Sequence, residues 1–96
     1  MLIRSQNKEV LLAFEFLPDI EVSGGVISAR RDMGWCCLLG EYSTKAKAMK
    51  VLDMIQEAYS EYQIMLNFSV SYLHEFKEKT DGFAIFQMPE DSEVEA

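Results

Sequence analysis

Ninety-six residues, 49% of them apolar, make one folded domain with a modest core rather than a disordered chain. The longest apolar runs fall far short of the roughly 20 residues that span a bilayer, which excludes a membrane helix. The net charge is −7, and four of the sixteen acids crowd into Glu90–Glu95, so no broad basic surface exists to neutralise a nucleic-acid backbone.

Met1–Ser5 and Val10–Phe16 are apolar-rich runs joined by the polar Gln6-Asn7-Lys8-Glu9, a hairpin pattern. The first residues carry neither the apolar stretch nor the cleavage pattern of a secretory signal. Pro18-Asp19 ends the second run, because proline cannot donate to a sheet ladder. Ile20–Ser23 and Val26–Arg30 then flank Gly24-Gly25, a tight turn that tolerates positive φ. Val26 and Ser28 fall on one face of the returning strand, Ile27 and Ala29 on the other. Arg31-Asp32-Met33-Gly34 turns again into Trp35–Leu39. Short strands linked by turns between neighbours predict an antiparallel meander of four to five strands.

The most secure element is an amphipathic helix over Thr44–Tyr62. Ala48, Val51, Leu52, Ile55, Ala58, Tyr59 and Tyr62 recur at spacings of three and four. Ser43 or Thr44 supplies the N-cap. The helix must bury its face on the sheet before it. Between Ile64 and Lys79 strand and helix spacings compete evenly. Thr80-Asp81-Gly82 is a turn, and Phe83–Met88 is a final strand ended by Pro89. The fold class is therefore α+β: an antiparallel meander, one long helix packed on it, and a C-terminal strand. Residues 1–89 form the domain, and 90–96 read as an acidic, flexible tail.

Chemistry-bearing motifs are scarce. Cys36 and Cys37 are adjacent on a strand, where side chains point to opposite faces, so they are poorly placed to bridge each other. Unbridged cysteines fit a reducing cytoplasm. With the single His74 they lack the spaced ligand pairs of a zinc site. Gly24-Gly25 lacks the strand–loop–helix context of a phosphate loop. The expectation is a protein without catalytic, metal or cofactor chemistry.

Two constellations remain. The helix start holds Lys45, Lys47 and Lys50 where acids are the favoured residues. If Arg30 and Arg31 came close, their guanidinium groups would converge with Ser43, Thr44, Lys45 and Lys47 around an anion. The alternative is a set of separate solubilising charges. The second constellation is Met54, Tyr59, Tyr62, Phe68, Tyr72 and Phe76. This is either an exposed interface, and hence a homo-oligomer, or a core beneath a second layer.

Met1-Leu-Ile-Arg-Ser-Gln-Asn-Lys8, Leu39-Gly-Glu-Tyr-Ser-Thr44 running into Lys47-Ala-Met-Lys-Val-Leu-Asp-Met-Ile-Gln56, and Phe86-Gln-Met-Pro89 with its acidic end resemble a family of small proteins. Phages, prophages and mobile elements of Gram-positive bacteria encode them. The resemblance covers about half the chain and transfers no functional residue. It implies an accessory protein in the host cytoplasm, of a kind that often counters host defence. An anionic nucleotide signal is the leading ligand class. The alternatives are an acidic, protein-directed inhibitor of a nucleic-acid-acting defence enzyme, or a passive interaction module.

Overall fold

The computed structural model describes residues 1–30, 36–66 and 85–95. The fold is α+β. Strands β1 (Leu2–Arg4), β2 (Leu11–Ala13), β3 (Asp19–Ser23), β4 (Val26–Arg30) and β5 (Cys36–Glu41) precede helix α1 (Lys45–Leu66), and β6 (Ile85–Gln87) follows. Single 3-10 turns lie at Phe14–Phe16 and Asp91–Glu93.

The meander is divided. β3, β4 and β5 form one antiparallel sheet in sequence order, while β2, β1 and β6 form a second with β1 central. The division has a local cause: the second apolar run leaves the extended conformation at Phe14, and Pro18 follows the 3-10 turn before β3 begins. β6 pairs with β1 in parallel, Ile3 facing Phe86. A parallel neighbour requires a long crossover, here the whole of β2 to α1.

Strand periodicity places the core. Ile27 and Ala29 of β4 are buried, and Val26 and Ser28 are half-buried on the opposite face. β5 breaks strict alternation. Ile27 pairs with Gly40 and Ser28 with Leu38, so Leu39 is an extra residue forming a bulge. The bulge turns Leu39 inward to 1% exposure and leaves Leu38 at 50%. It also frees the Leu39 carbonyl, which accepts the Gln6 N–H at 2.8 Å.

Gln6 joins the two sheets. Its side-chain oxygen accepts the Glu41 N–H at 2.9 Å, and its Nε2 donates to the Glu41 and Pro89 carbonyls. One amide thus imitates a strand partner for β5 and fixes the chain after β6. The turn before β4 closes from the other side: Gly24 has φ +59°, and the Gly25 carbonyl accepts the Tyr42 N–H at 2.7 Å. A Cβ on Gly25 would lie 2.1 Å from the Tyr42 carbonyl oxygen, so only glycine permits this approach.

α1 begins as expected and extends further, to Leu66. Thr44 is the cap: its Oγ1 accepts the Lys47 N–H at 3.1 Å. Ala48, Val51 and Ile55 are buried, and the helix lies on β3 and β4. Each fully buried aliphatic side chain contributes about 1.5–3 kcal/mol relative to exposure. Ile3, Leu12, Leu39 and Met88 complete the same cluster, so both sheets share one core. Among the described residues, no helix is long and apolar enough to cross a membrane.

The acidic end departs from the expected free tail. Val94 is 4% exposed and belongs to the core cluster. The 3-10 turn before it closes through a capping box between Glu90 and Glu93. Burying Val94 offsets the ordering of one or two residues, at about 1.5–3 kcal/mol against about 1–2 kcal/mol each, and hydrogen bonds from Tyr42, Ser43 and Lys47 hold the rest of the segment.

Candidate functional site

Two places on α1 concentrate polar or accessible groups, its N-terminus and its middle.

At the N-terminus the chain supplies its own anion. Asp91 Oδ1 accepts the Ser43 N–H at 2.7 Å. Lys47 Nζ donates to the Asp91 carbonyl at 3.2 Å and lies 3.5 Å from its Oδ2. Lys50 Nζ donates to the Glu95 carbonyl. Of the lysines that replace acids in the first turns, Lys47 therefore faces a carboxylate brought from the C-terminus, and Lys50 a backbone carbonyl of the same segment. The Ser43 N–H, with Lys47 adding, holds the Asp91 carboxyl below its ordinary range. Tyr42 locks the segment from below, its hydroxyl donating to the Pro89 carbonyl at 2.8 Å. Burial, with Glu90, Asp91 and Glu93 nearby, pushes the Tyr42 phenol up to about 12.

The predicted anion set does not assemble as a whole. Ser43, Thr44 and Lys47 meet at the helix start, and Lys45 is exposed beside them. Arg30 is elsewhere. Val26 pairs with Glu41 near the helix start, whereas Arg30 pairs with Cys36 at the other end of β4. Four residues of strand place Arg30 roughly 13 Å farther along. Its Nη2 donates to Glu21 Oε1 at 3.0 Å, and its Nε lies 3.7 Å from Asp19 Oδ1. The convergence that would have brought Arg30 to the helix does not occur; the meander directs it to acids across the same hairpin. Arg31 lies outside the described residues.

The middle of α1 forms one wall of a cleft of about 510 Å³. Leu52, Ile55, Gln56, Tyr59 and Ser60 face Phe14, Leu17, Pro18, Asp19 and Ile20 across it. The opening follows from the break between sheets: the 3-10 turn and Pro18 carry the chain over α1 without continuing either ladder. Tyr59 is fixed at one end, its ring 4.4 Å from Phe14 and its hydroxyl accepting from Gln63 Nε2 at 2.7 Å. Asp19 is the acidic lining residue, its side chain 40% exposed. Its Oδ1 is turned inward and accepts no hydrogen bond within the described residues, so Arg30 faces it through charge alone.

The aromatic set divides as well. Tyr59 and Tyr62 are half-buried against the core, with ring centroids 6.1 Å apart, while Met54 is exposed on α1. Phe68, Tyr72 and Phe76 lie outside the described residues, as does His74. Among the described residues no group of three or more His, Cys, Asp or Glu side chains is placed to hold a metal ion.

Neither the Asp91 carboxylate at the helix start nor the cleft was expected from the sequence. A readable signal existed for one of them, because three lysines opening a helix and four acids ending the chain are complementary. The cleft had no comparable signal, since Phe14, Leu17 and Ile20 look like strand residues. The chain matches no family model, no curated protein and no solved structure.

Proposed function

We propose that this chain is a non-enzymatic binding protein that takes a small, largely apolar molecule into the cleft between α1 and the Phe14–Ile20 segment. The observation that supports it is the cleft itself. Its volume falls within the roughly 300–1,000 Å³ of small-molecule sites, and apolar walls with a few polar groups are their usual composition. Titration with N-phenyl-1-naphthylamine, a neutral probe that fluoresces in apolar surroundings, tests the reading. Saturable binding in the wild type, lost in Ser60→Trp, is expected. Ser60 is an exposed helix position, so a bulky side chain there obstructs the cleft without entering the core. Equal binding by both proteins refutes the proposal.

A second reading keeps the anionic nucleotide signal suggested by the phage-like sequence, in a protein acting in the host cytoplasm. It is favoured by the carboxylate already held at the helix start. A nucleotide there must displace Asp91, so Asp91→Ala should bind where the wild type binds weakly. No heat of binding for either protein, across cyclic and linear nucleotides, removes it. In the alternative of an acidic, protein-directed inhibitor, Glu90, Glu93 and Glu95 are the exposed acids of the docked end. Glu93→Gln with Glu95→Gln then weakens inhibition and spares the Val94 anchor, which truncation would destroy. Self-association is a further part of the proposal. Leu11 and Ile85 are exposed on one face of the β2-β1-β6 sheet, and light scattering gives the mass directly.

A further inference from the structure

Resting on the cleft reading above, we infer that the cleft selects a cationic amphiphile: an apolar or aromatic body carrying a protonated amine. Three observations support the sign of the charge. Among the described residues the charged group lining the cleft is Asp19, and its side chain is two-fifths exposed. Among the described residues the neighbouring cluster does not cancel it, because Arg30 is shared between Asp19 and Glu21, leaving one excess negative charge. The chain as a whole carries −7, so its long-range field also repels anions and concentrates cations.

The body of the ligand is defined by the walls. Leu17 and Ile20 face Leu52 and Ile55 across the gap, surfaces that gain by shedding water onto an alkyl or aryl group. Gln56 and Ser60 stand on the helix side and offer hydrogen-bonding groups to the polar head. A carboxylate head of equal length would meet a second carboxylate, Asp19, whose Arg30 partner is already shared with Glu21. At a partly exposed site, one attractive charge replaced by one repulsive charge changes affinity on the order of tenfold at ordinary ionic strength.

The test is displacement of N-phenyl-1-naphthylamine by decylamine and decanoate below their micelle-forming concentrations and by decanol below its solubility limit. Wild type should bind decylamine about tenfold more tightly than decanoate, with decanol between. Asp19→Asn should bring the three together. Glu57→Gln, an exposed acid on α1 outside the lining, should leave the preference intact and so separate local from global charge. If all three displace the probe equally from wild type, or Glu57→Gln reduces the preference as much as Asp19→Asn, the inference falls while the cleft reading stands. If none displaces the probe, the inference likewise falls; if probe binding persists in Ser60→Trp, the cleft reading itself falls.

Discussion

Val94→Ala probes the docked C-terminus most directly. Val94 is 4% exposed within the shared core, and the substitution removes two carbons from a packed site. At about 0.8 kcal/mol for each buried carbon, with a small cavity added, the expected loss is about 2 kcal/mol. For a domain of this length that lowers the melting temperature by roughly 10 °C. Urea unfolding followed by circular dichroism measures it, and the slope should change little because most of the surface exposed on unfolding is the same. Glu95→Ala, one residue further and exposed, is the control and should fall within about 0.5 kcal/mol of wild type. A free acidic tail predicts that both substitutions are silent. A Val94→Ala midpoint indistinguishable from wild type would therefore refute the docking and the account of the helix-start lysines built on it.

Other consequences concern the same junction. Because the folded phenol of Tyr42 titrates near 12 against an ordinary 10.0, its contribution is fully present below pH 10 and is lost as pH rises toward 12. Absorbance titration at alkaline pH should show a late tyrosine component that is missing from Tyr42→Phe; its persistence in that variant assigns the late group elsewhere. Asp91 has the opposite sign, with its contribution present above 3.8 and declining as pH falls through the lowered folded value. Carboxyl shifts followed by NMR should show most of that lowering retained in Lys47→Met, since the Ser43 N–H is its main cause; complete reversal would make the ammonium dominant. Gly25→Ala should cost more than about 1 kcal/mol in chemical denaturation, because its Cβ falls 2.1 Å from the Tyr42 carbonyl oxygen and the Tyr42 N–H to Gly25 bond must open. A neutral result there would mean that the turn relaxes freely.

Local pattern alone was enough for the α+β class, the β3–β4 hairpin around Gly24-Gly25, and the α1 face built on Ala48, Val51 and Ile55. Periodicity, turn chemistry and capping are properties of neighbouring residues, so a sequence displays them. The helix start was legible in the same sense: Thr44 caps it, and its lysines stand out against the dipole. Which anion answers those lysines was a tertiary decision. Asp91 arrives from 44 positions beyond Lys47, carried by β6 pairing in parallel beside β1 and anchored by Val94. The same is true of Arg30, whose partners depend on hairpin register, and of the cleft, which exists only because two sheets part over α1. Long-range pairing is settled by burial of the whole core at once, and no window of neighbouring residues contains that information.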